Sequence, residues 1–247
     1  MTRRLLTQGK RRYAFFSGYR LAGCDCCSGL NSLFLFTSDD GKDWKLLAHK
    51  ETHANSGWNL DTSQISWLET GQGLWGTIGE GGYMQGGVSK GIVQILHDDG
   101  RNIRETVIPT SFENSGMADC DDEEYLQITK KGQAECYANE AVLEATVEVR
   151  HDLPATGNTY PLQVTVNGYD GMKLVGEGKD AKTQPVKEYK QKNFLFSYDA
   201  NMHEYITPAD YPASLNFSYF RGIPAVPQEA VNICILHRRG VIPPFAL

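Results

Sequence analysis

Residues 32–50, SLFLFTSDDGKDWKLLAHK, decide the fold of this chain because they contain a strand, a tight turn and a returning strand in one run. The four apolar residues 33–36 suit a buried strand. The acidic and glycine residues 39–41 come next, and Asp and Gly tolerate the left-handed backbone of a hairpin turn. Residues 44–47, with Trp and two leucines, then predict the returning strand.

A second feature is the strict alternation of apolar and polar residues in the middle of the chain. Residues 143–149 place Leu, Ala, Val and Val on one side and Glu, Thr and Glu on the other, which is the period of a strand with one buried face. Residues 162–166 repeat this pattern after a loop that contains Pro154, Gly157 and Asn158. The two segments predict an antiparallel hairpin with a long loop.

Other stretches carry weaker strand patterns, and helical periodicity is scarce. Further strand candidates are residues 13–19, 65–68, 92–96 returning through 103–108, 125–129 returning through 133–137, and 194–198. Few segments place apolar residues three and four apart over three turns without Gly or Pro. The sequence therefore predicts an all-β fold of antiparallel hairpins, arranged as a β-sandwich or a propeller-like assembly with little helix.

The acidic segment 113–124, ENSGMADCDDEE, is a candidate domain boundary. Residues 1–118 before it form a Gly- and Trp-rich β region that contains the hairpin. Residues 119–247 form a second β region that ends in a proline-rich tail, and prolines are excluded from central strands. A single domain is the alternative.

Residues 37–44, TSDDGKDW, combine Ser, Asp, Gly and a closing Trp in one turn. This octet resembles the Asp-box hairpin of sialidase and BNR-repeat propellers, with Asp43 where that family usually has Thr. The resemblance implies that Asp39, Gly41 and Trp44 hold a turn together. It carries over no catalytic residue, because an Asp-box shapes a hairpin and performs no chemistry.

Size and charge limit the classes of partner. A chain of 247 residues with 40% hydrophobic content can bury a proper core. Its net charge is −6 and its basic residues are scattered, which argues against nucleic-acid binding. Its longest apolar runs are far shorter than the roughly 20 residues that cross a bilayer, so no membrane span is predicted.

Cysteine usage indicates the compartment. The N-terminus carries several basic residues but no apolar region of a signal peptide. The chain has six cysteines, an even number: Cys24, Cys26, Cys27, Cys120, Cys136 and Cys234. In an oxidising compartment they could form up to three disulfides, whose pairing the sequence does not define. We predict a periplasmic or secreted protein in its mature form, with a cytoplasmic location as the alternative.

Two glycine motifs match catalytic or cofactor patterns. Residues 87–91, GVSKG, fit the GxSxG of a hydrolase nucleophile elbow, and residues 71–76, GQGLWG, fit the GxGxxG of a dinucleotide site. Both motifs require a helix to follow. The first is followed by a strand pattern and the second by more glycines, so we interpret both as glycine-rich loops. We predict no catalytic residue and no cofactor.

Two patterns suggest metals. Cys24 and Cys27 have CxxC spacing, and His49 and His53 have HxxxH spacing, which together suit zinc. The segment between them is too long for a zinc finger and contains the predicted hairpin. The acidic clusters at residues 39–43 and 119–124 lack EF-hand spacing. We interpret these groups as disulfide cysteines, solvated histidines and a solvated acidic surface, and we predict no metal.

Aromatic residues around the glycine-rich segment are the binding candidates: Trp58, Trp67, Trp75, Tyr83 and Met84. Trp and Tyr are favoured at protein interfaces, and core packing is the alternative for each. The sequence predicts a non-catalytic, exported module that binds another protein, as an inhibitor or immunity-type factor. The alternative is a BNR or sialidase-like protein that binds or hydrolyses glycans. Hydrolysis would need an arginine cluster and a tyrosine–carboxylate pair.

Overall fold

Residues 32–50 form the last hairpin of a four-stranded antiparallel sheet, as the sequence predicts. Its strands are β1 (Thr2–Gln8), β2 (Arg11–Gly18), β3 (Leu30–Thr37) and β4 (Lys45–His53), side by side in chain order. The computed structural model describes residues 2–18, 30–53, 65–85, 88–114, 130–176 and 182–215. In the first sheet, β1 and β2 form one hairpin, and β3 and β4 form the next one along the chain.

A second sheet contains eight antiparallel strands, again in chain order. They are β5 (Ser66–Gly71), β6 (Leu74–Gln85), β7 (Val88–Asp98), β8 (Ile103–Glu113), β9 (Ala141–Val149), β10 (Leu162–Val175), β11 (Lys182–Asp199) and β12 (Glu204–Ile206). Helix α1 (Lys130–Asn139) precedes β9, and the 3-10 helix Ala213–Leu215 follows β12. The predicted all-β class is confirmed. No helix in these ranges is long and apolar enough to cross a membrane.

The two sheets pack against each other through one core. Its buried residues are Tyr13, Phe15, Leu33 and Leu35 from the first sheet, and Ile65, Leu96 and Ile103 from the second-sheet side. Strand β7 is buried on both faces, because alternate residues such as Val93 and Ile95 face a second core. Burial on both faces accounts for the four apolar residues at 92, 93, 95 and 96, on either side of Gln94.

The second core lies inside the curled eight-stranded sheet. Strands that are distant in the sheet order meet there: His97 of β7 contacts the rings of Tyr198 of β11 and Tyr205 of β12. The curl is held by the loop between β9 and β10, where the Tyr160 N–H donates to the Thr70 carbonyl at 2.7 Å. The Tyr205 hydroxyl donates to the Tyr160 carbonyl at 2.9 Å.

The two clearest predicted hairpins are confirmed. Residues 143–149 pair with residues 162–166 in antiparallel register, with Leu162 opposite Val149. Residues 92–96 pair with β8, with Val93 opposite Ile108. Residues 143–149 alternate because one face of β9 is buried, whereas residues 92–96 carry apolar side chains on both faces because both faces of β7 are buried.

The hairpin predicted to return through residues 133–137 is wrong, because these residues belong to α1. The segment KKGQAECYAN is rich in helix formers, and its apparent alternation comes from polar residues around Tyr137, which is the buried residue among the described side chains 133–139. The helix ends at Asn139, whose side-chain amide donates to the Glu135 carbonyl at 2.9 Å. The first half of the predicted hairpin, residues 125–129, lies outside the described residues.

The glycine-rich segments interpreted as loops lie mostly in strands, although residues 72–73 form the turn between β5 and β6 and Gly87 lies outside the described residues. Residues 74–85 form β6 and residues 88–91 begin β7. A β-carbon at Gly76 would lie 2.2 Å from the Leu96 carbonyl oxygen, and one at Gly82 would lie 2.6 Å from the Lys90 oxygen. These glycines therefore allow β6 to approach β7 closely, which is a strand function of glycine.

The boundary predicted near residue 118 falls outside the described residues. The strands on its two sides, β8 and β9, are neighbours in one sheet, with Phe112 opposite Leu143.

Candidate functional site

Strand β3 has large apolar residues on both of its faces. Leu33 and Leu35 point into the core between the sheets and are fully buried, whereas Phe34 and Phe36 point the opposite way and are half-buried. A strand with one buried face normally alternates apolar and polar residues. The sequence of β3 is therefore suited to burial on both sides of the four-stranded sheet. Among the described residues, the eight-stranded sheet covers one side.

The register of the strands extends this apolar surface across all four strands. One row runs through Leu5, Ala14, Phe34 and His49, each directly opposite the next. Directly paired residues of antiparallel strands point to the same face, so the row is one continuous surface. We call this surface the outer aromatic face. It comprises Leu5, Arg12, Ala14, Phe16, Phe34, Phe36, Trp44, Leu46 and His49.

The rings of the outer aromatic face are held by mutual contacts. Phe16 and Phe34 meet edge to face with ring centroids 5.6 Å apart, and His49 stacks on Phe34 at 5.5 Å with 11° between the ring planes. Leu5 and Leu46 beside them are 51% and 53% exposed. Rings that are fixed before binding lose little conformational entropy when a partner covers them.

Arg12 and Trp44 lie where the outer aromatic face meets the β3–β4 turn. The Arg12 guanidinium carbon lies 4.1 Å from the centre of the Trp44 ring, within cation–π range. The Arg12 Nε also donates to the Thr7 hydroxyl at 3.2 Å. The face therefore carries one positive charge over a large aromatic ring.

The turn itself is closed by Asp40. Its Oδ1 accepts from the backbone N–H groups of Lys42 and Asp43, at 2.8 and 3.0 Å, and from the Ser38 hydroxyl at 2.9 Å. These donors lower the pKa of the Asp40 carboxyl below its ordinary value, with the backbone bonds from Asp43 and Lys42 as the largest causes. Gly41 takes the left-handed conformation at φ 74°. The turn of the Asp-box-like octet is thus held by its second aspartate, next to the predicted Asp39.

Two of the binding residues predicted from sequence, Trp67 and Trp75, lie on the neighbouring strands β5 and β6. Trp67 and Trp75 are half-buried and pack against the core between the sheets, where Trp67 lies 6.3 Å from the Tyr13 ring. Tyr83 and Met84 are in β6, and their side chains lie outside the described part of the structure, as does the whole of Trp58. Their role in binding stays a prediction.

The motif residue Ser89 is in strand β7, opposite Met84 of β6. A nucleophile elbow requires a sharp strand-to-helix turn, and β7 continues to Asp98 instead.

A tyrosine–carboxylate pair is present elsewhere, between the Tyr169 hydroxyl and Glu140 Oε1 at 2.5 Å. Burial, the hydrogen bond to Glu140 and the charges of Glu140 and Glu113 raise the pKa of Tyr169 to about 12. A tyrosine nucleophile needs the opposite shift.

Polar side chains link the two sheets through buried hydrogen bonds. Asp98 is fully buried and accepts from the Tyr13 hydroxyl at 2.9 Å, from Arg11 at 2.6 Å and from the Gly100 N–H at 2.7 Å. Burial, the largest cause, raises the pKa of the Asp98 carboxyl above its ordinary value. The Tyr13 and Arg11 donors come from the first sheet and the Gly100 N–H comes from the β7–β8 turn, so we interpret Asp98 as a structural link between the sheets.

A second polar link lines a small cavity. Asn31 donates to Gln94 at 3.0 Å, and Gln94 donates to Glu105 at 2.9 Å. The adjacent cavity, lined in part by Thr77 and Glu80, has a volume of about 20 Å³. That is room for about one water molecule and excludes a metabolite.

The structure describes the two histidines of the predicted zinc pattern but not its two cysteines. His49 is in β4 and stacks on Phe34, whereas Cys24 and Cys27 lie outside the described residues. In the described ranges, no three His, Cys, Asp or Glu side chains are grouped to hold a metal ion. Of the six cysteines, Cys136 lies in the described ranges, half-buried on α1, and the predicted disulfides stay a prediction.

Sequence reasoning missed the outer aromatic face, although its signal was present. The uninterrupted run at residues 33–36 predicts burial on two sides, and the half-exposed rings of Phe16, Phe34 and Phe36 show where that burial is incomplete. Comparison of the chain with models of known protein families, with characterised proteins and with solved structures finds no match.

Proposed function

We propose that this chain is a non-catalytic module that binds another protein through the outer aromatic face. The observation that carries the proposal is the half-exposed aromatic and leucine surface on the side of the four-stranded sheet opposite the core. Contiguous exposed apolar surface of this kind marks interaction sites in soluble proteins. Export and disulfide bonding are further parts of this proposal.

The contacts within the face favour a protein over a glycan. Sugars stack on the flat faces of aromatic rings. In the outer aromatic face, ring faces are already in contact with other side chains, because Phe34 stacks on His49 and the Arg12 guanidinium lies over the Trp44 ring. The surface offers ring edges, leucine side chains and an arginine, which are groups that protein interfaces use as anchors.

The test compares leucines of similar exposure on different surfaces. Leu5 and Leu46 on the outer aromatic face are 51% and 53% exposed, and Leu195 on β11 is 45% exposed. Each is replaced by Lys, and each tagged variant is incubated with extract from the native source. The proteins retained in stoichiometric amount are identified by mass spectrometry.

The wild type and Leu195→Lys should retain the same partner protein, and Leu5→Lys and Leu46→Lys should lose it. Burying one lysine charge without a partner costs several kcal/mol, which weakens binding by more than about tenfold. Equal retention by all four proteins would place the interface elsewhere. Retention of no protein by the wild type would overturn the proposed function.

A further inference from the structure

The longest described strand, β11, has an edge that no other described strand covers over most of its length. Strand β11 pairs with β10 along one side over residues 182–196, but on the other side β12 covers only Ser197, Tyr198 and Asp199. Among the described residues, no strand pairs with the outer side of residues 182–196. Residues 182–188 are all exposed. We call residues 182–190 of β11 the open edge.

The open edge is basic in an acidic protein. It contains three lysines and one glutamate, whereas the whole chain has a net charge of −6. Lys190 pairs with Glu188 at 2.9 Å. Lys182 and Lys187 form no ion pair within the described ranges, although Asp170 of β10 lies directly opposite Lys187. With Glu188 counted, residues 182–190 carry a net charge of +2.

Pro185 indicates which backbone groups face outward. Proline has no N–H, so within a strand it is accommodated where that group would point away from the ladder. Pro185 is opposite Met172 of β10. In an antiparallel strand the N–H and C=O of a residue point to the same side, and the side alternates along the chain. The backbone groups of Thr183 and Lys187, which are exposed, therefore also face the open side.

The same lysines decide what can occupy the edge. Lysines on an edge strand disfavour pairing with a second copy, because like charges would lie side by side. They favour a strand that carries carboxylates. Exposed backbone groups with alternating side chains are the features through which an extended peptide is added to a sheet.

We propose that the open edge binds an acidic peptide segment as an added β-strand. The site is separate from the outer aromatic face, so its test involves different residues. Backbone hydrogen bonds from Thr183 and Lys187 supply the pairing, and the lysines select for acidic side chains.

The experiment measures the affinity of four fluorescent probes by anisotropy. The first is a peptide of about eight residues in which Glu and Val alternate. The second is the same peptide with alternate backbone nitrogens methylated, which removes its donors and keeps its charge. The third alternates Lys and Val, and the fourth is heparin. The wild type, a Lys187→Glu/Lys190→Glu variant and a Lys42→Glu control are compared, since Lys42 is an exposed lysine on the β3–β4 turn.

The Glu–Val peptide should bind the wild type at least about tenfold more tightly than the Lys–Val and N-methylated peptides, because two to three hydrogen bonds or charge contacts are at stake. Charge reversal should cause a similar loss, and Lys42→Glu should cause none. Hydrogen exchange in the wild type should show new protection at the Thr183 and Lys187 amides.

Equal binding of the N-methylated peptide or of heparin would show a simple polyanion patch and overturn the proposal. Equal binding of the Glu–Val and Lys–Val peptides would also overturn it. The probe comparison uses wild-type protein, so its outcome does not depend on the folding of a variant.

Discussion

Acid should weaken this fold through His97. Its side chain is fully buried against Tyr198 and Tyr205, and neither ring nitrogen makes a hydrogen bond of normal geometry among the described residues. Burial, which disfavours the charged imidazolium, lowers the pKa of His97 from 6.5 to about 4. The folded protein therefore keeps this histidine neutral over a pH range in which the unfolded chain binds a proton.

The sign and size follow from that difference. Because the folded pKa is depressed, the stabilisation is complete above pH 6.5 and is lost as the pH falls from 6.5 towards 4. At about 1.4 kcal/mol per pH unit, the free energy of unfolding falls by about 3 kcal/mol between pH 7 and pH 4 from this one group. A small domain has a total stability of about 5–15 kcal/mol, so the effect is large enough to measure.

The assay is urea unfolding at several pH values for the wild type, His97→Leu and the control His49→Gln. At pH 7, His97→Leu should change the free energy of unfolding by less than about 1.5 kcal/mol. The substitution replaces a ring whose nitrogens make no hydrogen bond of normal geometry with an apolar side chain of similar volume. The fall in the free energy of unfolding between pH 7 and pH 4 should be about 3 kcal/mol smaller in His97→Leu than in the wild type. His49→Gln should show the same fall as the wild type because His49 is exposed. Equal loss of stability in the wild type and His97→Leu between pH 7 and pH 4 would refute the reasoning.

Three other predictions follow from the contacts. Gly76→Ala should lower the free energy of unfolding by at least about 3 kcal/mol in urea titration, because its β-carbon would overlap the Leu96 carbonyl. Gly100→Ala is the control for a purely conformational cost, because Gly100 has φ 99° and no atom lies within 4 Å of its β-carbon. Asp98→Ala should cost about 3–5 kcal/mol because it leaves the Arg11 charge without its buried partner, whereas Asp152→Ala at an exposed pair should cost less than about 1 kcal/mol. Intact-mass measurement with a thiol-alkylating reagent should detect no free thiols in protein from its native source unless reductant is added; six modified thiols without reductant would contradict the predicted disulfides and export.

Much of the fold could be predicted from the sequence because side-chain burial sets a visible period. Residues 143–149 alternate since one face of β9 packs on the core, and residues 92–96 do not alternate since β7 is buried on both sides. The helix at residues 130–139 could not be found in this way, because it buries mainly Tyr137 and so has no apolar stripe. The glycines of β6 suggested a loop for a related reason. Their role is to let β6 lie close to β7, and this role depends on residues that are distant in sequence.

The candidate site was harder to predict than the fold. The aromatic residues near the glycine-rich segment are the binding candidates that the sequence suggests, yet Trp67 and Trp75 pack on the core between the sheets. The outer aromatic face is assembled by register: Phe16, Phe34 and His49 come from three strands and meet only when these pair. Sequence alone shows which residues are apolar but cannot show which face of a two-layer structure is left uncovered.

The most direct test of the central claim is the dissociation constant of the captured partner protein for Leu46→Lys compared with Leu195→Lys. Both leucines are exposed to a similar degree, so both variants should retain the thermal stability of the wild type, and differences in affinity report on the interface. Binding through the outer aromatic face predicts that Leu46→Lys weakens the complex by at least about tenfold and that Leu195→Lys leaves it unchanged. Equal dissociation constants for the two variants would contradict the claim.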